Sequence, residues 1–195
     1  METYRLVSRE EALLLDSSYK HACHALLYAP CKDRLFGRIP IRYAIMMQMR
    51  FDGMIGFVGG FVDSGEDLTS GLRREVAEEL GCAADEIEWS DDDHVTSHVD
   101  EINKFCLHFY AKRLTFEKFV AIERNSVNAV DHGLEVLGTI RCPVYTWKDT
   151  LGLPSFLRNN FVGMARDQLL DCLEREKILT KEQIDVALNA TTSKK

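Results

Sequence analysis

The chain has 195 residues, 46% of them hydrophobic and 28% charged, with a formal net charge of −7. That length suits one domain with one sizeable core, and the acidic balance argues against a general nucleic-acid coat protein. No apolar run approaches the roughly 20 residues needed to cross a bilayer, and Glu10 and Glu11 ahead of a short apolar patch make a poor signal peptide, so no membrane partner and an intracellular setting are expected.

In chain order, the first predicted strand covers residues 22–29, an apolar run, and the second covers 42–50, rich in Met and Ile. Asp67 is placed to cap a helix that runs to Leu80 and stops at Gly81. The run Asp91-Asp92-Asp93 reads as an exposed turn. Residues 104–113 alternate, with Phe105, Leu107, Phe109 and Ala111 on one face and Cys106, His108, Tyr110 and Lys112 on the other. Thr115 caps a short helix through Arg124, and residues 135–145 form a further strand with Pro143 at an edge or bulge. Phe161, Ala165, Leu169 and Cys172 recur at helical spacing, and Thr180 with Gln183 makes a capping box for a last helix. No repeat or linker interrupts the chain, so residues 1–188 read as a single domain and 189–195 as a disordered tail. One helix among strands, followed by helices, predicts an α+β or layered α/β/α domain around a mixed sheet. The six cysteines follow no framework spacing and are expected to be reduced thiols.

The segment Leu72-Arg73-Arg74-Glu75-Val76-Ala77-Glu78-Glu79-Leu80-Gly81 carries the chemistry. On a helix Glu75, Glu78 and Glu79 share one stripe, while Leu72, Val76 and Leu80 form another suited to the core. Like charges at this spacing each cost a few tenths of a kcal/mol; a bound cation would remove that cost, and hard oxygen ligands select Mg²⁺ or Mn²⁺. A solvated acidic face partnered by Arg73 and Arg74 is the plainer reading of this helix alone.

The context upstream favours the cation. From Gly60, five residues lead to Glu66, seven more to Arg74-Glu75-Val76-Ala77-Glu78-Glu79-Leu80-Gly81-Cys82. This resembles the Nudix box, G-x5-E-x7-R-E-U-x-E-E-x-G-U, with Cys82 a softer substitute at the last aliphatic position. The resemblance to Nudix hydrolases implies a mixed central sheet between helices with a loop–helix–loop catalytic motif. It also implies divalent ions that bridge carboxylates and pyrophosphate, acidify a water and neutralise phosphoryl charge. On that pattern Glu75 and Glu79 are the principal metal ligands with the Gly59 carbonyl, Glu78 is a ligand or the base, and Arg74 orients the carboxylates through Glu78.

The likeness extends beyond the box, through residues 21–28, 35–40, 47–53, 108–114 and 131–138, to the nuclear Nudix branch that decaps small nucleolar RNA and hydrolyses inosine diphosphates. It implies capped RNA and IDP or dIDP as substrates, a homodimer, and residence in the nucleus, nucleolus and nucleoplasm as well as cytoplasm. It puts the purine-binding groups on His24, Arg50, Phe57 and Gln168, with His98 a candidate for contacting the metal or phosphate site and Glu135 an alternative base. Without the resemblance, His24 reads as a core histidine, Gln168 as a helix-surface amide and Glu135 as a cation partner. His21 and His24 lie three apart on a strand, on opposite faces, so this HxxH is not a zinc pair. Relatives have proline where this chain has Val58, which puts loop rigidity in question. A sister branch that lost its box glutamates binds rather than cleaves; Glu75, Glu78 and Glu79 are all kept here.

Overall fold

A computed structural model describes residues 4–84 and 86–192. Its elements are β1 (Tyr4–Val7), α1 (Arg9–Leu13), β2 (Lys20–Leu35), β3 (Ile39–Arg50), β4 (Ile55–Gly56), β5 (Val58–Phe61), α2 (Leu68–Leu80), β6 (His94–Asp100), β7 (Phe105–Arg113), α3 (Phe116–Asn125), β8 (Val136–Arg141), β9 (Thr146–Trp147), β10 (Leu151–Gly152), α4 (Leu153–Phe156), α5 (Ala165–Arg175) and α6 (Lys181–Thr192). The expected mixed sheet is present: β1-β6-β7-β2-β3-β4 in order, with β5 also on β2 and β8 also on β3.

The strand β2 organises the molecule. One edge pairs with β7 in parallel from Lys20↔Phe105 to Tyr28↔Arg113. Its other edge changes partner: Ala22 to Ala25 pair with β5, and from Tyr28 onward the strand pairs with β3. The far half of β3 instead takes β4 and β8 as neighbours. The sheet therefore divides at β2, with β5 beside its first half and β3 beside its second.

Alternation along β2 sorts its side chains into two cores. Leu26 and Tyr28 join Phe57, Phe109, Leu169, Cys172, Ile184 and Ala187, beneath α5 and α6. Cys23, Ala25, Leu27 and Ala29 join Leu72, Val76, Leu80, Phe119 and Ile122, beneath α2 and α3. The predicted split of β7 holds, Phe109 facing the first core and Tyr110 the second. Helices thus cover both faces of the sheet, the layered arrangement expected.

Several boundaries differ from the sequence reading. The hairpin of β2 and β3 is longer than its apolar runs, because cross-strand pairing resumes beyond a bulge at exposed Lys32 and Asp33, with Arg34↔Pro40 and Leu35↔Ile39. The β8 strand ends at Arg141, before Pro143, which has no N–H to offer a ladder. Phe161 does not start a helix but bridges Ile55, and α5 begins only at Ala165, after Gly163 turns the chain at φ +47°. Helix α6 continues through Thr192, so 189–192 are helical rather than disordered, and the rest of the expected tail lies outside the described residues. Asp91–Asp93 form a 3-10 turn. All six cysteines are free thiols. Among the described residues no helix is long and apolar enough to cross a membrane.

Candidate active site

The glutamate helix is fixed at both ends. The Asp67 carboxylate accepts from the Thr69 and Ser70 amides at 3.1 and 3.0 Å and from their hydroxyls at 2.7 and 2.6 Å. Those bonds, the Ser70 hydroxyl foremost, hold its carboxyl well below the usual range. Gly81 closes the other end at φ +80°, its N–H on the Ala77 carbonyl. Leu72, Val76 and Leu80 are fully buried against the sheet, so the glutamate stripe turns toward β5.

The three glutamates occupy different environments. Glu79 is 8% exposed, and its Oε2 accepts from the Gly59 amide at 2.9 Å. Burial pushes its carboxyl up to about 8; the charges of Glu75 and Asp131 add to the rise, while the Gly59 N–H and the Gln48 amide oppose it. Glu75 is also raised by burial, against the attraction of Arg74. Glu78 is the open one, its side chain 43% exposed.

Arg74 ties the group together as expected, and does more than reach Glu78. Its Nη1 donates to Glu75 Oε1 at 2.7 Å and Glu78 Oε2 at 3.3 Å, and its Nη2 to Glu66 Oε2 at 3.1 Å and the Phe61 carbonyl at 2.9 Å. The loop 61–66 is thereby clamped to the helix by one guanidinium fork.

Two glycines bring the backbone this close. Gly59 sits at φ +126°, where a Cβ would overlap the Cys23 carbonyl of β2. A Cβ on Gly60 would overlap the Glu75 carboxylate. Val58, ahead of this turn, is 3% exposed and paired with Ala25, so strand pairing holds the backbone there. Two carboxylates crowded against bare backbone, the buried one driven to retain a proton, fit a divalent cation. The donors offered there are the carboxylate oxygens of Glu75 and Glu79.

The residues expected to read a purine come from separate elements. His24, on the α5 side of β2, pairs with Gly59 in register; burial and the charge of Arg50 lower its imidazole to about 4, so it is neutral at physiological pH. Arg50 ends β3 and is held by Asp52 through Nε and Nη2 at 3.2 and 3.1 Å. Gln168 on α5 is 7% exposed, not a surface amide, and shares a cavity of about 230 Å³ with His98, Asp167 and Asp171. Phe57 differs from expectation: it is 4% exposed, with its ring 4.8 Å from that of Phe109, so in this state it is core and offers a base little open face.

His98 lies on the α5 side of the sheet, in the cavity it shares with Gln168. It pairs with Leu107 in register and so faces α5, where burial lowers its pKa against the pull of Asp171; among the described residues no hydrogen bond joins it to the glutamates. Glu135 is exposed in the turn 131–135 and, among the described residues, makes no ion pair, contrary to the cation-partner reading. That turn does lie beside the glutamate helix, since the Asp131 amide donates to the Glu78 carbonyl at 3.2 Å.

Three contributors were not singled out from sequence. Glu66 belongs to the box pattern but its place on Arg74 needed the loop fold. Asp131 approaches the glutamates only through the chain reversal after α3. Gln48 had a signal: a lone polar residue in the run Ile45-Met46-Met47-Gln48-Met49, 1% exposed, with its amide beside the Glu79 carboxylate.

The model of the family described as Nudt16-like, U8 snoRNA-decapping enzyme-like, matches residues 21–179. The chain belongs to that family, and it is a Nudix hydrolase. A U8 snoRNA-decapping enzyme of Mus musculus is 51% identical over 181 residues, 92% of this chain and 93% of that one. A Tudor-interacting repair regulator protein of Homo sapiens is 44% identical over 191 residues, 96% of this chain and 89% of that one. Among solved structures, a mutT/nudix family protein from Listeria innocua aligns with a TM-score of 0.54 at 15% identity, covering 83% of this chain and 98% of its own. That last likeness speaks to the fold alone. Nudix hydrolases generally depend on a divalent metal ion, which the glutamate cluster suits.

Proposed function

We propose that this Nudix hydrolase removes the 5′ cap from RNA, small nucleolar RNA included, and cleaves purine diphosphates of the IDP and dIDP class to the monophosphate. The observation that carries the reading is the pair of carboxylates packed on bare backbone, half-buried Glu75 against Gly60 and buried Glu79 on the Gly59 amide, next to a neutral His24 and the cation of Arg50. Bound there, Mg²⁺ or Mn²⁺ supplies positive charge for the pyrophosphate oxygens and activates water. Glu75 and Glu79 hold the ion with the Gly59 carbonyl, and Arg74 keeps the three glutamates and Glu66 in one arrangement. Glu78, exposed and held only at 3.3 Å, is free to accept the water's proton; Glu135 is the alternative acceptor. His24 and Gln168 address the base and Arg50 a phosphate, and Phe57 stacks on the base after a shift of the core. A homodimer active in the nucleus and nucleolus, with a cytoplasmic share, completes the proposal by likeness to the decapping relatives.

The test is hydrolysis of IDP and of a methylguanosine-capped RNA with Mg²⁺ or Mn²⁺, by wild type and Glu79→Gln. Release of IMP or a cap nucleotide by wild type, and loss by at least ~10²-fold in the variant, is the expected result. The 44% identity to a Tudor-interacting repair regulator protein favours a second reading, a catalytically weak binding module on the same fold. Wild type that cleaves neither substrate with either metal would establish that reading instead. Glu78→Gln and Glu135→Gln assayed separately identify the proton acceptor.

A further inference from the structure

His21 and His24 do not form a metal pair along β2, but His21 meets another histidine across the sheet. In the parallel register of β2 with β7, His21 lies opposite Cys106, with His108 two residues on. His21 Nδ1 and His108 Nε2 are 2.9 Å apart, their rings within 10° of parallel. One ligand atom from each of His21, Cys106 and His108 lies within 4.8 Å of the other two. Cys106 and His108 are fully buried, while His21 is half-buried and opens onto a cavity between α1 and the loop 61–69. This cluster is on the α2 face of the sheet, away from the purine-facing side of β2, and shares no ligand with the glutamate site.

We propose that His21, Cys106 and His108 form a second metal site, for Zn²⁺ or a cation of similar softness. Two imidazoles and a thiolate are the donor set that zinc prefers and that Mg²⁺ does not, and three protein ligands leave a fourth position for water. The outer support is already in place: Ser97 Oγ is 2.9 Å from His108 Nδ1 and 2.8 Å from His94 Nε2. With Nδ1–H of His108 donating to Ser97, and the Ser97 hydroxyl donating to His94, the Nε2 lone pair of His108 points at His21 and Cys106. The cavity that leads to His21 is bordered by Asp16, Asp63, Glu66, Asp67 and Asp91 against two cations, Arg9 and Lys20, a field that draws positive ions inward.

The proton balance is simple. His21 moves its ring proton from Nδ1 to Nε2, toward the cavity, with no net change. The Cys106 thiol, which burial pushes up to about 12, gives its proton to solvent as the Zn–S bond forms. One proton leaves per ion, so apparent affinity tightens about tenfold per pH unit below that thiol pKa. The site joins the start of β2 to the catalytic loop, because the His21 carbonyl accepts from the Val62 amide at 2.9 Å.

The test is titration of the metal-free full chain with Co²⁺ in the presence of excess Mg²⁺, read by sulfur-to-cobalt charge-transfer absorption, followed by displacement with Zn²⁺. About one equivalent of a thiolate-ligated cobalt signal is expected, bleached by zinc, abolished in Cys106→Ser and retained in Glu79→Gln. If Cys106→Ser does not fold, His21→Ala, at the half-exposed ligand, carries the test and weakens the signal's midpoint by about tenfold or more. A folded wild type without charge-transfer absorption, or a signal undiminished in Cys106→Ser and His21→Ala, overturns the site. Because the readout is spectroscopic, it stands or falls separately from the hydrolase assay.

Discussion

The glutamate helix and the proposed purine-facing side of the site are built in opposite ways. Residues 59–81 make most of their polar contacts with one another: Gly59 to Glu79, Gly60 against Glu75, Glu66, Glu75 and Glu78 on Arg74, Thr69 and Ser70 on Asp67. The proposed purine side takes His24, Arg50, Phe57 and Gln168 from four separate stretches of chain, placed by the exchange of partners along β2 and by the packing of α5 on the sheet. A contiguous segment keeps its geometry under local control, whereas an assembled surface depends on the packing of everything behind it.

That contrast breaks first at the carboxylate. Glu79→Gln is expected to cut hydrolysis by ~10²-fold or more while the folded protein survives. On the assembled side, Phe57→Ala is expected to cost about 3–5 kcal/mol of stability in denaturant unfolding, because it empties a ring-on-ring core contact. An unchanged midpoint would mean that Phe57 is only a stacking platform.

The pH dependence sharpens the comparison further. With a folded pKa of about 8 against an ordinary 4.5, Glu79 binds its proton more tightly in the native state. Its favourable contribution is full below pH 4.5 and is lost as pH rises through about 8, a change on the order of a few kcal/mol. Thermal unfolding of metal-free protein across that window should show falling stability, flattened by Mg²⁺ and by Glu79→Gln. A flat wild-type profile without metal would mean that Glu79 is better solvated than its burial implies.

Smaller effects belong to single recognition groups. Arg50→Ala and Gln168→Ala are each expected to raise KM by about tenfold with kcat less affected, since each removes one polar contact to the substrate. An equal fall in kcat would move that residue into the reacting centre. Least of all, Asp67→Ala should cost about 1 kcal/mol through the lost helix cap, checked by urea unfolding.

Legibility followed the same division. Asp67, Leu72, Val76, Leu80 and Gly81 specify α2 through cap and period, and the glutamate stripe follows from the helix itself. The strand β5 escaped notice because Val58-Gly59-Gly60-Phe61 has poor strand propensity; its conformation is imposed by β2. Phe161 fitted a helical period but was claimed by Ile55, a contact between segments about 106 residues apart. His98 and Gln168 were recognisable as chemistry, but not as neighbours.

By itself, then, the sequence determined the layered class, the catalytic helix and the carboxylates on it, because helical geometry places residues three and four apart together whatever surrounds them. Only the tertiary structure decided that Glu79 is buried and proton-retaining while Glu78 is open, that Phe57 is core, and that His21 meets His108 from 87 positions away. Desolvation and cross-strand contact depend on which distant segments cover a residue, and no local period encodes that.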